Sequence, residues 1–248
     1  MTDQIDTRSS TRERIIEVAA LLLRDQGQAA VTTRGVAERA GVQAPTIYRL
    51  FGDKDGLLDA VAEQVMTDFA STKTQAVASA VSENVDPVAD LRSGWNMTIE
   101  FGIANPALFV LLSDPARGQQ SAAAKAGTQL LADRVHRVAL QGQLRVSEER
   151  AVELIHAAGT GAVLVTLAKP LTERDRSLAD TMFDAVLEQI VTQQSASPEA
   201  PAGDMISHAV ALRAHAGQAS TLTPGEQSLL TEWLDRIVEG EYGAATAS

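Results

Sequence analysis

The segment Thr32-Thr33-Arg34-Gly35-Val36-Ala37-Glu38-Arg39-Ala40-Gly41-Val42-Gln43-Ala44-Pro45-Thr46-Ile47-Tyr48-Arg49-Leu50-Phe51 encodes two short amphipathic helices separated by a tight turn. Thr32 or Thr33 supplies an N-cap hydroxyl for the first helix, from about Thr33 to Ala40, and Val36, Ala37 and Ala40 recur on its inner face. Gly41 ends that helix, because a glycine enters the left-handed conformation without a Cβ penalty. Pro45 suits the first turn of the second helix, where its missing N–H costs nothing. With Ile47 and Phe51 turned inward, the 3.6-residue period turns Gln43, Ala44, Thr46, Tyr48 and Arg49 outward.

Two helices with this spacing match the helix-turn-helix, in which the second helix enters a DNA major groove. The outward groups are of the type that reads base edges. Gln43 can pair bidentately with adenine and Arg49 with guanine, while Ala44 and the Thr46 methyl can touch a thymine methyl. Tyr48 more naturally reaches a phosphate. Thr33 and Arg34 at one helix start, and Lys54 at the next, combine a donor or a cation with free helix N–H groups, an arrangement that favours phosphate. A glycine-centred helix pair also occurs in plain bundles, so spacing alone leaves DNA binding open.

From about Arg12 to Phe69 the sequence resembles the N-terminal domain of the TetR (tetracycline repressor) family. The resemblance is carried by the Thr33-Arg34 helix opening, the Gly41-Val42 turn, Thr46-Ile47-Tyr48, Phe51, and Lys54 before Leu57-Leu58. It implies an all-helical homodimeric transcriptional repressor, with a three-helix DNA-binding domain tied by a fourth helix to a larger effector-binding and dimerisation bundle. It further implies DNA contacts by Thr33, Arg34, Gln43, Ala44, Pro45, Thr46, Tyr48, Arg49 and Lys54. Ala44 departs from the polar residue common there.

Outward from this segment, the chain reads as helix throughout, without sustained period-2 alternation. Ser10-Thr11-Arg12-Glu13 has the form of a capping box, which sets the first helix start there and leaves residues 1–10 as a disordered tail. The expected layout is a DNA-binding domain over 11–55, an effector and dimerisation bundle over 56–192, a polar linker over 193–203 and further helices over 204–240. Asp86-Pro87, Asn105-Pro106 and Lys169-Pro170 punctuate the bundle. Thr223-Pro224-Gly225-Glu226 forms a second capping box.

A net charge of -11 argues at first against nucleic acid, but its distribution does not. Residues 1–54 hold eight basic and seven acidic side chains, a net of +1, so the remainder carries -12. Cysteine is absent, which removes disulfides, thiolate zinc sites and cysteine nucleophiles and fits a cytoplasmic location. The apolar run Ala157 to Ala168 is too short to span a bilayer, so no membrane partner is expected.

Trp95, Phe101, Phe109, His136, His156 and Thr160 are candidate contacts for a mostly apolar or aromatic effector, against the alternative that each is an ordinary core or surface residue. The small residues of Ala157-Ala158-Gly159-Thr160-Gly161-Ala162 permit close helix approach, at a dimer interface or around a ligand. No catalytic motif, metal-ligand spacing or cofactor fingerprint is present. The enzyme alternative reduces to His136 or His156 as a base beside Glu100 or Glu153. A constitutive DNA-binding dimer without an effector is the third reading.

Overall fold

The computed structural model describes residues 2–114, 122–192 and 203–245. Eleven α-helices lie among them: α1 (Thr2–Gln26), α2 (Thr33–Arg39), α3 (Ala44–Phe51), α4 (Lys54–Ser82), α5 (Pro87–Ala104), α6 (Pro106–Leu112), α7 (Ala122–Leu140), α8 (Glu148–Leu167), α9 (Ser177–Ile190), α10 (Gly203–Ala216) and α11 (Pro224–Ala245). Extended pairing among the described residues is limited to one isolated bridge, Leu144 to Val191. The expected all-α class is the class observed. The linker 193–203 lies outside the described residues apart from Gly203, which opens α10.

The first helix starts earlier than the capping box implied. α1 is continuous from Thr2, so Ser10 and Glu13 sit inside it. No Gly or Pro interrupts the sequence from Met1 to Ser9.

The chain forms two compact units, Met1–Gln75 with Glu100–Gly127, and Ala76–Ile99 with Thr128–Ser248. In the first, Ile15, Ile16, Ala19, Leu22 and Leu23 form the buried stripe of α1. They join Val36, Ala37, Ile47, Leu57, Leu58, Leu108 and Leu111 in one core. Each large aliphatic buried there stabilises by roughly 1.5–3 kcal/mol. In the second unit α8 packs along α9, and α10 and α11 form a helical hairpin. Trp95 stacks on Phe183 with centroids 4.8 Å apart. A Cβ at Gly159 would lie 3.2 Å from the Trp95 ring, so this small residue admits an indole of its own chain. Gly161 has open space instead.

By length and composition α8 is apolar enough to cross a membrane, contrary to the estimate from its core run alone. Seven of its residues, among them Ile155, Ala162 and Val163, are nevertheless buried in the unit.

Candidate nucleic-acid interface

Backbone geometry fixes the α2–α3 pair. Thr32 Oγ1 accepts from Gly35 N at 3.1 Å, which makes Thr32 the cap and frees Thr33. At φ 65 Gly41 turns the chain, and Val42 N donates back to Ala37 O at 2.9 Å. Gln43 is the N-cap of α3, with Pro45 in the first turn. Gly52, at φ 82, closes α3, and Asp53 Oδ1 accepts from Gly56 N at 2.8 Å at the start of α4. These constraints hold the second helix rigid against the first, which a groove-reading element requires.

Buried Ile47 anchors α3, with Phe51 packed beside it. Gln43, Pro45, Tyr48 and Arg49 are exposed on the opposite side, as is Arg34 at the start of α2. Tyr48 retains 54% exposure, and its hydroxyl lies 3.3 Å from Thr33 Oγ1. That contact joins the two helix starts into one polar edge. Ala44 differs from its sequence assignment: it is half-buried and packs against the core rather than standing clear. Its position in the first turn brings its methyl down onto the hydrophobic cluster. Thr46 is also half-buried. Lys54 is half-buried too, and its Nζ donates to Gln28 O at 3.1 Å. It therefore ties α4 to the turn after α1, with two N–H donors of its ammonium left.

One contact escaped the sequence reading. The Arg12 guanidinium stands 5.5 Å from the Phe51 ring centroid, so this arginine braces the end of α3. The pairing of an α1 cation with an aromatic at the end of α3 gives no local sequence signal.

The six candidate effector residues divide between the two units. Phe101 stacks on Phe69 at 4.2 Å, and Phe109 is half-buried on α6, both in the first unit. Trp95, His136, His156 and Thr160 belong to the second. His156 is exposed, and His136 Nδ1 lies 3.0 Å from Glu148 Oε2 near the surface. The first unit contains a cleft of ≈ 400 Å³ lined by Leu21, Leu23, Val61, Val65, Ala107 and Leu108 among others, and none of the six lines it. Among the described residues no three His, Asp or Glu side chains cluster with metal-binding geometry.

Residues 15–61 match the family described as "Bacterial regulatory proteins, tetR family". Tetracycline repressor protein class C of Escherichia coli is 50% identical over 56 residues, covering 23% of this chain and 26% of that one. The HTH-type transcriptional regulator Rv1816 of Mycobacterium tuberculosis is 30% identical over 111 residues, 43% of this chain and 45% of that one. The chain thus spans less than half the length of these curated relatives. Among solved structures, Thermus thermophilus FadR, a TetR-family transcriptional repressor in complex with lauroyl-CoA, aligns with TM-score 0.58 and 21% identity over 76% of this chain and 100% of that one. RolR in complex with resorcinol aligns with TM-score 0.55 and 20% identity, over 82% and 95%. At these identities the structural likeness concerns the fold. The matched segment coincides with the α1 to α4 reading head, so it is this N-terminal part of the chain that is similar to the TetR family of bacterial regulatory proteins.

Proposed function

We propose that the chain is a cytoplasmic transcriptional repressor that binds a near-palindromic operator as a homodimer and is released by a small-molecule effector. The observation that carries this reading is the single polar edge of Thr33, Arg34, Gln43, Tyr48 and Arg49, mounted on a glycine-locked helix pair. In this reading Gln43, Thr46 and Arg49 read base edges. Thr33, Arg34, Tyr48 and Lys54 hold phosphates, and Ala44 and Pro45 shape the entry of α3 into the groove.

One such head reads few base pairs, and two-fold pairing supplies the missing affinity and specificity. Exposed Leu164 and Val165 on α8 and Met182 on α9 support those two helices as the dimer face. Gly161, open on α8, permits close approach of a second copy.

The bound compounds of FadR and RolR support an effector response here. α4 runs without a break from the reading head into the second unit, and so can transmit a change of state between them. Release requires the effector to bind the DNA-incompetent state more tightly than the competent one. Sequencing DNA selected by the purified protein tests the reading. An enriched inverted repeat is expected, with half-sites about one helical turn apart. A pool indistinguishable from input would overturn it.

A further inference from the structure

Among the described residues of the second unit, Asp90 on α5 and Arg134 on α7 are the buried charged side chains, 3% and 2% exposed. Arg134 Nε donates to Asp90 Oδ2 at 3.0 Å. Arg137, one turn further along α7, brings its Nη1 to 3.4 Å from the same oxygen without hydrogen-bond geometry. One carboxylate therefore faces two guanidiniums. The other acid and base on this stretch of α7 are engaged elsewhere: Asp133 accepts from Gln129, and His136 pairs with Glu148.

The hydrogen bonding is incomplete in the same place. Arg134 Nη2 and Arg137 Nη1 are buried without an acceptor. The Arg134 guanidinium lies against Gly94, where a Cβ would stand 2.8 Å from its Cζ, so it is fixed across α5. Buried donors without acceptors and a buried charge without a full counter-charge are each unfavourable. A water molecule would accept a hydrogen bond but bring no charge. A carboxylate supplies both, in the bidentate geometry that guanidinium prefers.

We propose that this cluster recognises an organic carboxylate, which accepts from Arg137 Nη1 and Arg134 Nη2 beside Asp90. Arg137 retains 18% exposure and is the side of the cluster open to an incoming ligand. Leu91 and Val138, next in sequence to Asp90 and Arg137, are buried and apolar, which suits a ligand with an apolar body. The assignment rests on the effector reading above and gives that effector a negative charge.

The chain has two tryptophans, so Trp233→Phe leaves Trp95, on the same helix as Asp90, as the sole indole and reporter. In that full-length background, benzoate, salicylate and octanoate are titrated, each against its primary amide, with sodium sulfate and phosphate in parallel. Indole fluorescence and calorimetry are the readouts. At least one carboxylate is expected to bind saturably while its amide does not. Arg137→Gln, which spares the Asp90–Arg134 pair, should weaken that binding about 10- to 100-fold. The proposal is overturned if no carboxylate binds, if acid and amide bind alike, if only the inorganic anions bind, or if Arg137→Gln binds as wild type. No operator is present in this assay. Operator binding without carboxylate binding therefore refutes the proposal alone, and carboxylate binding by a protein that selects no DNA refutes the regulator reading alone.

Discussion

Replacing Gly94 by alanine sets two opposing effects against each other. Alanine in the interior of α5 is favoured over glycine by about 1 kcal/mol through backbone entropy. The new methyl, however, would lie 2.8 Å from Arg134 Cζ and Nη1 and 2.9 Å from Nε. A guanidinium at the end of a flexible side chain usually moves aside at little cost, but this one is buried and bonded to buried Asp90. Displacing it leaves a buried carboxylate short of its partner, which costs about 3–5 kcal/mol. The net is a loss of about 2–4 kcal/mol, or roughly 5–15 °C in Tm for a chain of this size. Gly127→Ala on α7 is the control, since its Cβ would meet only Met66 Cε at 3.9 Å. It should stabilise by up to about 1 kcal/mol. Thermal and urea denaturation followed by circular dichroism measure both. A Gly94→Ala protein as stable as wild type would refute the claim that Arg134 is pinned between Gly94 and Asp90.

Gly41→Ala should destabilise the reading head by about 1–2 kcal/mol from its left-handed backbone alone, since nothing lies within 4 Å of the added methyl. Gly41→Asn should recover part of that loss, as denaturation would show. Val165→Glu should convert a dimer into a particle of 26.2 kDa in light scattering, and an unchanged mass would remove α8 from the proposed interface. Glu226 accepts from Thr223 N and Oγ1, which hold its carboxyl below the ordinary value of 4.5. A depressed folded value means that its contribution to the α11 cap is complete above about pH 4.5 and is lost as pH falls below it. The difference in helicity between wild type and Glu226→Gln should accordingly vanish on acidification.

The reading head was legible because each of its signals is local. Gly41, Pro45 and the Ile47–Phe51 interval act within one or two turns, and the structure places both helices within a residue of their expected ends. The α1 start failed for a local reason as well: Ser10 and Glu13 have capping-box spacing, but nothing before them prevents the helix from continuing. The effector residues are a different case. Aromatic and histidine side chains at helical spacing announce burial without announcing their neighbours, and whether Trp95 meets Phe183 or Phe101 meets Phe69 depends on packing between distant segments. The Asp90–Arg134 pair, 44 residues apart, is invisible for the same reason. Ala44 shows that helical period sets a direction rather than a degree of exposure, since the first turn of α3 lies close to the core.

The central claim is that α2 and α3 present a DNA-reading edge in which Arg49 contacts a base. Mobility-shift titration of wild type and Arg49→Ala on a selected inverted repeat, at several salt concentrations, tests it most directly. The account predicts a retarded complex that weakens steeply with salt. It also predicts a loss of about 10- to 100-fold for Arg49→Ala, together with relaxed preference at one position of each half-site. No complex at low salt, or an Arg49→Ala protein that binds the site with wild-type affinity and preference, would contradict it.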